Sequence, residues 1–212
     1  MPDNNEDGRY SLKKKRYRRL FSNLGKHFID PLTHTTAHER DYIEMRLPVA
    51  RITDEFEKKI RNKIKQKHLN IKIREASEND IDVVKDLYDK SWRSIDLPRA
   101  VDTKEDFLNI FQDSHDTFLI ASKDNVDCGF ILLALPGKEN KIGIIAGLGI
   151  IPEYQHMGLG TIMGIASWDF FKEKGVRELR CEVHRSNHVS YRFIKGLGFE
   201  EYDKVQLTRT LK

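Results

Sequence analysis

The central part of the chain carries a continuous apolar run followed by a helical repeat of apolar positions. Residues 142–151 are almost entirely apolar and rich in β-branched side chains, which predicts a buried strand. Pro152 ends that strand because proline has no backbone N–H to donate to a ladder. After Gly158 and Gly160 the apolar residues recur at intervals of three and four, as on one face of a helix; they are Leu159, Ile162, Met163, Ala166 and Phe170.

The turn between this strand and this helix is suited to an anion. The first N–H groups of a helix have no partner within the helix, and the positive end of its dipole lies at the same place. A strand that turns through Gln155, Gly158 and Gly160 into a helix is therefore predicted to bind a phosphate or pyrophosphate group.

Two common nucleotide-binding motifs are excluded by spacing. A dinucleotide fingerprint needs a third glycine at position 163, which is Met163, and no acidic residue ends a second strand about twenty residues later. The Gly-Lys pairs at 25–26 and 137–138 lack the following Ser or Thr of a Walker loop.

On either side of this centre, the pattern from Ile71 onward alternates between strands and helices. The predicted elements are a strand at 71–76, a helix with its start at 77–80, a second helix at about 103–112, antiparallel strands at 117–122 and 129–134 joined through 123–125, a strand at 178–183, a short helix at 187–198 and a last strand at 200–210.

Residues 1–69 differ from the rest in pattern and charge, and are predicted to form a basic, partly disordered and mainly helical extension. Thr53 precedes Asp54, Glu55, Phe56 and Glu57, a capped helix start with acids in its first turn, and Phe56, Ile60 and Ile64 form one narrow stripe. A second stripe among basic residues comprises Tyr17, Leu20, Phe21, Leu24 and Phe28. Such a helix can contact RNA phosphates or an anionic membrane. Alternatively, its apolar stripe docks on the body of the protein.

Charge and cysteine content refine this division. Residues 1–70 carry 17 Lys/Arg and 10 Asp/Glu, whereas the remainder carries 20 and 23, so the overall charge of +4 comes from the N-terminal part. Cys128 and Cys181, the only cysteines, lie on separate predicted strands and indicate reduced thiols. Without an apolar run long enough for a membrane span or a signal peptide, the protein is expected to be soluble and cytoplasmic.

Several motifs together resemble the GNAT superfamily of N-acetyltransferases. Residues 151–160, with Pro152, Gln155, Gly158 and Gly160, resemble its acetyl-CoA signature, and the similarity continues through 181–187 and 190–199. The resemblance covers roughly residues 70–212. It implies an α/β fold (α+β in some schemes), with a mixed, mostly antiparallel central sheet flanked by helices.

The resemblance also implies a function and a site. The expected reaction transfers acetyl from acetyl-CoA to a primary amine, by direct attack in a ternary complex. The residues expected to bind the co-substrate are Leu148, Gly149, Ile150, Gln155, His156, Met157, Gly158, Leu159, Gly160, Thr161 and Asn187. Asn187 could equally be only a helix cap. No metal is expected, because His156, His184 and His188 lack a surrounding Cys or carboxylate array.

Acid–base chemistry depends on the acceptor. Neutralising an α-amine at pH 7 costs roughly 1.4 kcal/mol, and neutralising a lysine about 4.6 kcal/mol. Glu182 matches the glutamate proposed as general base in ribosomal-protein N-terminal acetyltransferases; alternatively it is a strand residue that faces solvent beside Arg180 or His184. In the family, a tyrosine twelve residues after this glutamate usually acts as the general acid, and that position is Ile194 here. Two other nearby tyrosines, Tyr154 and Tyr191, are expected to be structural instead.

The acceptor is expected to be a protein or peptide amine, with small-molecule amines and a non-catalytic acetyl-CoA-binding role as alternatives. Candidates for lining its groove are Trp92, Arg93, Asp96 and Arg99, of which Trp92 could equally be a core residue. RNA or the ribosome is a possible partner through the basic N-terminal part, and a homodimer is possible.

Overall fold

The computed structural model describes residues 42–65, 70–92, 103–136 and 141–202, which form a mixture of strands and helices. The strands are β1 (Tyr42–Pro48), β2 (Ile71–Glu75), β3 (Asp116–Lys123), β4 (Val126–Ala134), β5 (Ile142–Ile150), β6 (Glu178–His184) and β7 (Glu200–Glu201). The α-helices are α1 (Asp54–Lys65), α2 (Ile81–Trp92), α3 (Lys104–Phe111), α4 (Leu159–Glu173) and α5 (His188–Gly196).

The seven strands form one sheet in the order β2-β3-β4-β5-β6-β1-β7. Neighbours are antiparallel except for β5 and β6, which are parallel. The α/β fold with a mixed, mostly antiparallel sheet and flanking helices is therefore confirmed. The predicted hairpin between β3 and β4 is present. Its tight turn is formed by Asp124 and Asn125, whose φ angles of 51° and 65° are the positive values that a two-residue hairpin turn requires.

Helices pack on both faces of the sheet. A Cβ on Gly143 of β5 would lie 2.5 Å from the Phe171 ring of α4, so Gly143 faces α4. The opposite face packs against α2 and α3 through a chain of aromatic rings, in which Tyr88 and Phe107 are 5.5 Å apart and Phe118 and Phe130 are 6.2 Å apart. The faces are called here the α4 face and the α2 face.

Strand β1 corrects the prediction for the N-terminal part. Residues 1–69 were predicted to be mainly helical, but residues 42–48 form a strand that pairs with β6 on one side and β7 on the other. Met45 and Leu47 point into the core and are fully buried. The packing of the chain therefore does not change at residue 70, where the boundary was predicted. Residues 1–41, with the predicted basic helix, lie outside the described residues.

Helix α1 was predicted from the Thr53 cap and the stripe of Phe56, Ile60 and Ile64. The structure shows this helix, and the Thr53 hydroxyl accepts a hydrogen bond from the Phe56 N–H at 3.2 Å. Helix α1 packs on α4, where Arg61 binds the Asp169 carboxylate at 2.8 Å. The segment before Ile71 is consequently part of the same packed body as the sheet.

Candidate active site

The parallel strands β5 and β6 separate part of the way along the sheet. They pair only from Ile142 to Ile144, opposite residues 178–180. Beyond these positions β5 remains paired with β4 as far as Ile150, and β6 remains paired with β1 as far as His184. Residues 145–150 and 181–184 thus have no ladder pairing with each other, and we call the region between them the strand cleft.

Backbone polar groups of β5 point into the strand cleft. The Ile151 N–H donates to the Cys128 carbonyl of β4 at 3.0 Å. Because N–H and C=O directions alternate along a strand, the backbone groups of Leu148 and Ile150 point away from β4 and toward β6. These are two of the three β5 residues predicted to contact the co-substrate.

Gln155 stabilises the end of β5. Its side-chain amide Nε2 donates to the Ile150 carbonyl oxygen at 2.9 Å, on the cleft side of the strand. The sequence predicted that Gln155 binds the co-substrate. In the structure this amide holds the Ile150 carbonyl in position, beside the path that is predicted for the pantetheine.

At the turn before α4, the first N–H groups of the helix have no hydrogen-bond partner among the residues that the structure describes. His156 and Gly158 have φ of 61° and 98°, and Gly158 is the N-cap residue without a side-chain cap. The first N–H donor to the Gly158 carbonyl is Ile162, at 3.1 Å. The N–H groups of residues 159–161 precede the first intrahelical bond of α4, which is the geometry of a helix N-terminus that binds phosphate.

Two glycines of α4 allow close packing of α5. A Cβ on Gly160 would lie 3.3 Å from the Phe193 ring, and one on Gly164 would lie 2.7 Å from a Leu197 methyl carbon. The Leu159 side chain is buried, so this residue can offer a ligand only its backbone. His156 and Met157 are exposed at the turn. The predicted phosphate-binding residues thus form a preorganised backbone surface, although their role toward acetyl-CoA stays a prediction.

Asn187 acts as a helix cap. Its side-chain oxygen accepts a hydrogen bond from the Ser190 N–H at 3.0 Å, at the start of α5. This contact matches the structural alternative for Asn187. Its predicted contact with the pantetheine is not tested by that bond.

Glu182 lies on the α2 face of β6, on the border of the strand cleft. Its neighbours Cys181 and Val183 are buried toward α4, and strand alternation therefore directs Glu182 to the opposite face. It is half-buried, and it is the second residue beyond Arg180, where pairing with β5 ends. Directly opposite Glu182 in the register of β1 is Glu44.

A row of arginines and an aromatic ring lie beside the two glutamates. Arg46 and Arg180 are opposite each other in the register, and their guanidinium carbons lie 5.0 and 5.1 Å from the centre of the Tyr202 ring. Arg180 donates to Glu178 at 2.6 Å, and Arg46 donates to Glu200 at 3.1 Å. Burial raises the pKa of Tyr202, so its phenol is protonated at neutral pH.

The two tyrosines named by the sequence make structural contacts. The Tyr191 hydroxyl donates a short hydrogen bond to the Glu201 carboxylate, and this bond raises the pKa of Tyr191. Tyr154 and Ile194 are half-buried and pack against the core.

Helix α2 brings a hydroxyl to the strand cleft. Ser91 is 5% exposed, and its Oγ has no hydrogen-bond partner in the part of the chain that the structure describes. A Cβ on Gly149 would lie 2.8 Å from this Oγ, so the hydroxyl lies against β5 on the α2 face. Trp92 follows Ser91 as the last residue of α2. The other predicted groove residues, Arg93, Asp96 and Arg99, lie outside the described residues.

Three residues of this region were missed by the sequence analysis: Glu44, Ser91 and Tyr202. A signal for Glu44 was present, because Ile43, Met45 and Leu47 alternate with polar residues as in a half-buried strand. Ser91 and Tyr202 have no comparable signal, since their places depend on packing between distant segments.

The thiols are not suited to covalent catalysis. Cys128 and Cys181 are free and buried, and burial raises the pKa of Cys181 to about 12. Cys181 also faces α4, away from Glu182. Across residues 42–65, 70–92, 103–136 and 141–202, no group of three or more His, Cys, Asp or Glu is arranged to hold a metal ion.

Comparison with known proteins agrees with this geometry. The model of the Acetyltransferase (GNAT) family matches residues 81–199, which is more than half of the chain. The chain belongs to the GNAT family. It is accordingly an acetyl-CoA-dependent N-acetyltransferase by family, and the matched segment includes β5, the turn before α4 and Glu182.

Individual relatives differ in the acceptors that their names state. The chain is 29% identical over 150 residues to a spermidine N(1)-acetyltransferase of Thermoplasma acidophilum, which covers 64% of this chain and 91% of that protein. It is 35% identical over 63 residues to N-alpha-acetyltransferase 30 of Schizosaccharomyces pombe, which covers 30% of this chain and 42% of that protein.

A solved structure shows the same fold with a ligand. The aminoglycoside N-acetyltransferase AAC(6′)-Iy, in complex with a bisubstrate analogue that contains CoA, superposes with a TM-score of 0.53 at 22% identity. The match covers 64% of this chain and 94% of that one.

Within the described ranges, we find no helix with the length and apolar character that crossing a membrane requires.

Proposed function

We propose that this GNAT protein acetylates a primary amine of a protein or peptide, by direct attack of the amine on acetyl-CoA in a ternary complex. The observation that supports the proposal best is the strand cleft beside the uncapped N-terminus of α4. The cleft offers a polar strand edge, and the start of α4 offers N–H groups, without a partner in the described part of the chain, for a diphosphate.

The residues present fit acetyl-CoA, which when bound supplies the acetyl thioester. The N–H groups of Leu159, Gly160 and Thr161 would hold the pyrophosphate, together with the exposed turn at His156 and Met157. The backbone groups of Leu148 and Ile150 would hold the pantetheine, and one N–H there would stabilise the developing oxyanion. Gln155 keeps the end of β5 in place for this contact.

Glu182 would take the proton of the attacking amine, directly or through a water molecule. It lies at the border of the cleft on the α2 face, half-buried, in a strand held on its other side by β1. A dedicated acid is not required, because a thiol with a pKa of about 8.5 can leave as a thiolate at modest cost. Neither buried thiol takes part, which agrees with direct transfer.

Two observations bear on the acceptor. Similarity to an N-alpha-acetyltransferase and the basic N-terminal part favour a protein or peptide amine. Similarity to a spermidine acetyltransferase over most of that enzyme's length favours a polyamine, which is the second candidate. The two classes share a primary ammonium group that must lose a proton before it attacks.

The decisive experiment is an acceptor screen with the full-length chain. Purified protein would be incubated with acetyl-CoA and either a peptide panel or a polyamine panel, and mass spectrometry would identify the acetylated products. Acetylation of peptides at a rate well above that of polyamines would support the proposal. Acetylation of spermidine alone would instead favour a polyamine as the acceptor. Binding of acetyl-CoA without any acetylated amine would contradict catalysis and favour a binding role.

The basic N-terminal part would direct the enzyme to an anionic surface such as RNA or the ribosome. Residues 9–26 carry eight Lys/Arg and no Asp/Glu, and contacts with phosphates make binding depend on salt. RNA binding that weakens with salt and is lost when residues 1–41 are deleted would support this role. Binding that is unchanged by the deletion would exclude it.

A further inference from the structure

Helices α4 and α5 lie side by side and run in the same direction. A Cβ on Gly160 would lie 3.3 Å from the Phe193 ring, and one on Gly164 would lie 2.7 Å from a Leu197 methyl carbon. These two contacts are about one turn apart on both helices, so the helices are aligned along this stretch. Val189 is about one turn before Phe193 on the same stripe. It therefore lies beside the turn that precedes α4, where the pyrophosphate of acetyl-CoA is proposed to bind.

Apolar side chains are exposed at this turn. Val189 is 71% exposed, and Met157 is 39% exposed. Within the described ranges, the structure has three exposed large apolar side chains, and the third is Val126 of β4. Single exposed apolar residues are ordinary, whereas an exposed apolar patch indicates a surface that a ligand or partner covers. Val189 and Met157 therefore offer such a surface for a flat apolar group next to the pyrophosphate site.

The segment that forms the turn carries neither lysine nor arginine. Residues 142–171 contain no Lys or Arg, so the backbone N–H groups at the start of α4 have no such cation beside them from their own segment. CoA carries a diphosphate and, on its adenosine, a 3′-phosphate. A guanidinium group suits a phosphate particularly well, because its paired N–H donors match the phosphate oxygens. A guanidinium group for these phosphates must come from a neighbouring element.

Helix α5 supplies a guanidinium group beside this turn. Arg192 is three residues after Val189, so the two side chains are neighbours on the surface of the helix. Arg192 is exposed and makes no ion pair with any residue in the part of the chain that the structure describes. The other cation of α5, Lys195, lies 5.7 Å from the centre of the Tyr191 ring, on the side of the helix that contacts β7. Arg192 is thus the cation of α5 that is available to a ligand at the turn.

We propose that the adenosine end of acetyl-CoA binds on this exposed face of α5, with the adenine on Val189 and Met157 and the 3′-phosphate bound by Arg192. The inference rests on the proposed function, since it extends the pyrophosphate site at the start of α4 to the rest of the nucleotide. Arg192 supplies the side-chain cation that the turn lacks. It gives the protein a preference for CoA, which has the 3′-phosphate, over dephospho-CoA, which does not.

The test is a calorimetric titration of the full-length chain with CoA and with dephospho-CoA. The wild type should bind CoA roughly threefold to tenfold more tightly, the contribution of one partly solvated contact between a guanidinium and a phosphate. This difference should decrease at high salt, because salt screens exposed charges. Arg192→Gln should bind both ligands equally, with the affinity that the wild type has for dephospho-CoA.

Lys195→Gln is the matched control, because it removes the same charge from the same helix on the side away from α4. It should keep the wild-type preference for CoA. A preference that is unchanged in Arg192→Gln, or that is lost equally in both variants, would overturn the role of Arg192.

The apolar part of the site has its own pair of variants. Val189→Ser removes apolar surface and should weaken the binding of CoA and of dephospho-CoA alike, roughly threefold. Val126→Ser, at the exposed start of β4, is the control and should bind both ligands as the wild type does. Both side chains are exposed, so neither variant creates a cavity in the core. Unchanged affinities in Val189→Ser would overturn the placement of the adenine.

Binding and turnover together distinguish this inference from the proposed function. If the wild type acetylates no amine but prefers CoA through Arg192, the proposed function fails and the inference stands. If the wild type acetylates amines but binds CoA and dephospho-CoA equally, the inference is wrong and the proposed function stands. A wild type that binds neither ligand would overturn both.

Discussion

The side-chain amide of Gln155 donates to the backbone carbonyl of Ile150 at 2.9 Å, and this bond connects the anion-binding turn to the end of β5. The carbonyl lies on the side of the strand that faces the cleft. The bond therefore ties together the two parts of the proposed acetyl-CoA site, which are otherwise separated by the turn at residues 152–154.

We expect Gln155→Ala to weaken acetyl-CoA binding more than it weakens the fold. Loss of one hydrogen bond should raise KM for acetyl-CoA roughly threefold to tenfold and lower the free energy of unfolding by about 1 kcal/mol. Steady-state kinetics and urea unfolding measure the two effects. Gln112→Ala, at the exposed C-terminal end of α3, is the matched control. An unchanged KM would show that the Gln155 bond does not position the site.

The effect of the positive φ at Gly158 on stability can be separated from the effect of its location at the proposed phosphate site. Gly158 and Gly175 both have positive φ, at 98° and 71°, so alanine at either position should cost about 1–2 kcal/mol of stability. Only Gly158 lies at the N-terminus of α4. Calorimetric titration should therefore show weaker CoA binding by Gly158→Ala, and wild-type affinity for Gly175→Ala. Equal affinities in the two variants would contradict a phosphate site at this turn.

The start of α2 should make stability depend on acid pH. Asp80 accepts hydrogen bonds from Arg74 and from the Ser77 N–H, and the Arg74 contact is the main reason that the pKa of Asp80 is lowered to about 2. Because the folded state favours the ionised carboxylate, this stabilisation is present above about pH 4 and is lost as pH falls toward 2.

We expect Asp80→Asn to lower the free energy of unfolding by about 1–2 kcal/mol at pH 7, with allowance for screening at the partly exposed Arg74. At pH 2 the difference from the wild type should nearly vanish. Asp82→Asn, which removes an exposed ion pair with Lys104, should change stability by less than about 0.5 kcal/mol at either pH. A loss for Asp80→Asn that is the same at both pH values would contradict the electrostatic explanation.

Glu182→Gln tests the proposed base. Removal of a general base typically lowers kcat by about 10²–10⁴-fold, and the rate should lose its wild-type dependence on pH and reach its optimum at a more alkaline value. Glu178→Gln is the control, since Glu178 is on the same face of the same strand and binds Arg180. A pH profile that is unaltered in Glu182→Gln would exclude the base role.

Most elements after residue 70 were predictable because their signals are local. Helix α4 follows from apolar residues at helical spacing after Gly158, and the β3–β4 hairpin follows from turn residues between two apolar runs. The anion-binding turn is also a local feature, because unpaired N–H groups occur wherever a helix begins. These parts depend little on contacts with distant residues.

The residues that border the strand cleft on the α2 face could not be identified from the sequence in the same way. Glu44 is 138 residues away from Glu182 along the chain, and only the register of β1 with β6 brings the two together. The alternation at 43–47 predicts that Glu44 lies on the polar face of a strand, but it does not identify the partner strand. Similarly, Ser91 is placed against Gly149 by the packing of α2 on β5, which no short motif encodes.

The integration of β1 into the fold leads to a last prediction. Met45 is fully buried and lies opposite Cys181, whereas an unpacked extension would leave it in solvent. Met45→Ala should lower the free energy of unfolding by about 2–5 kcal/mol, the range for truncating a buried methionine. Lys59→Ala, at an exposed position of α1, should change it by less than about 0.5 kcal/mol. Wild-type stability in Met45→Ala would show that residues 42–48 do not form a core strand.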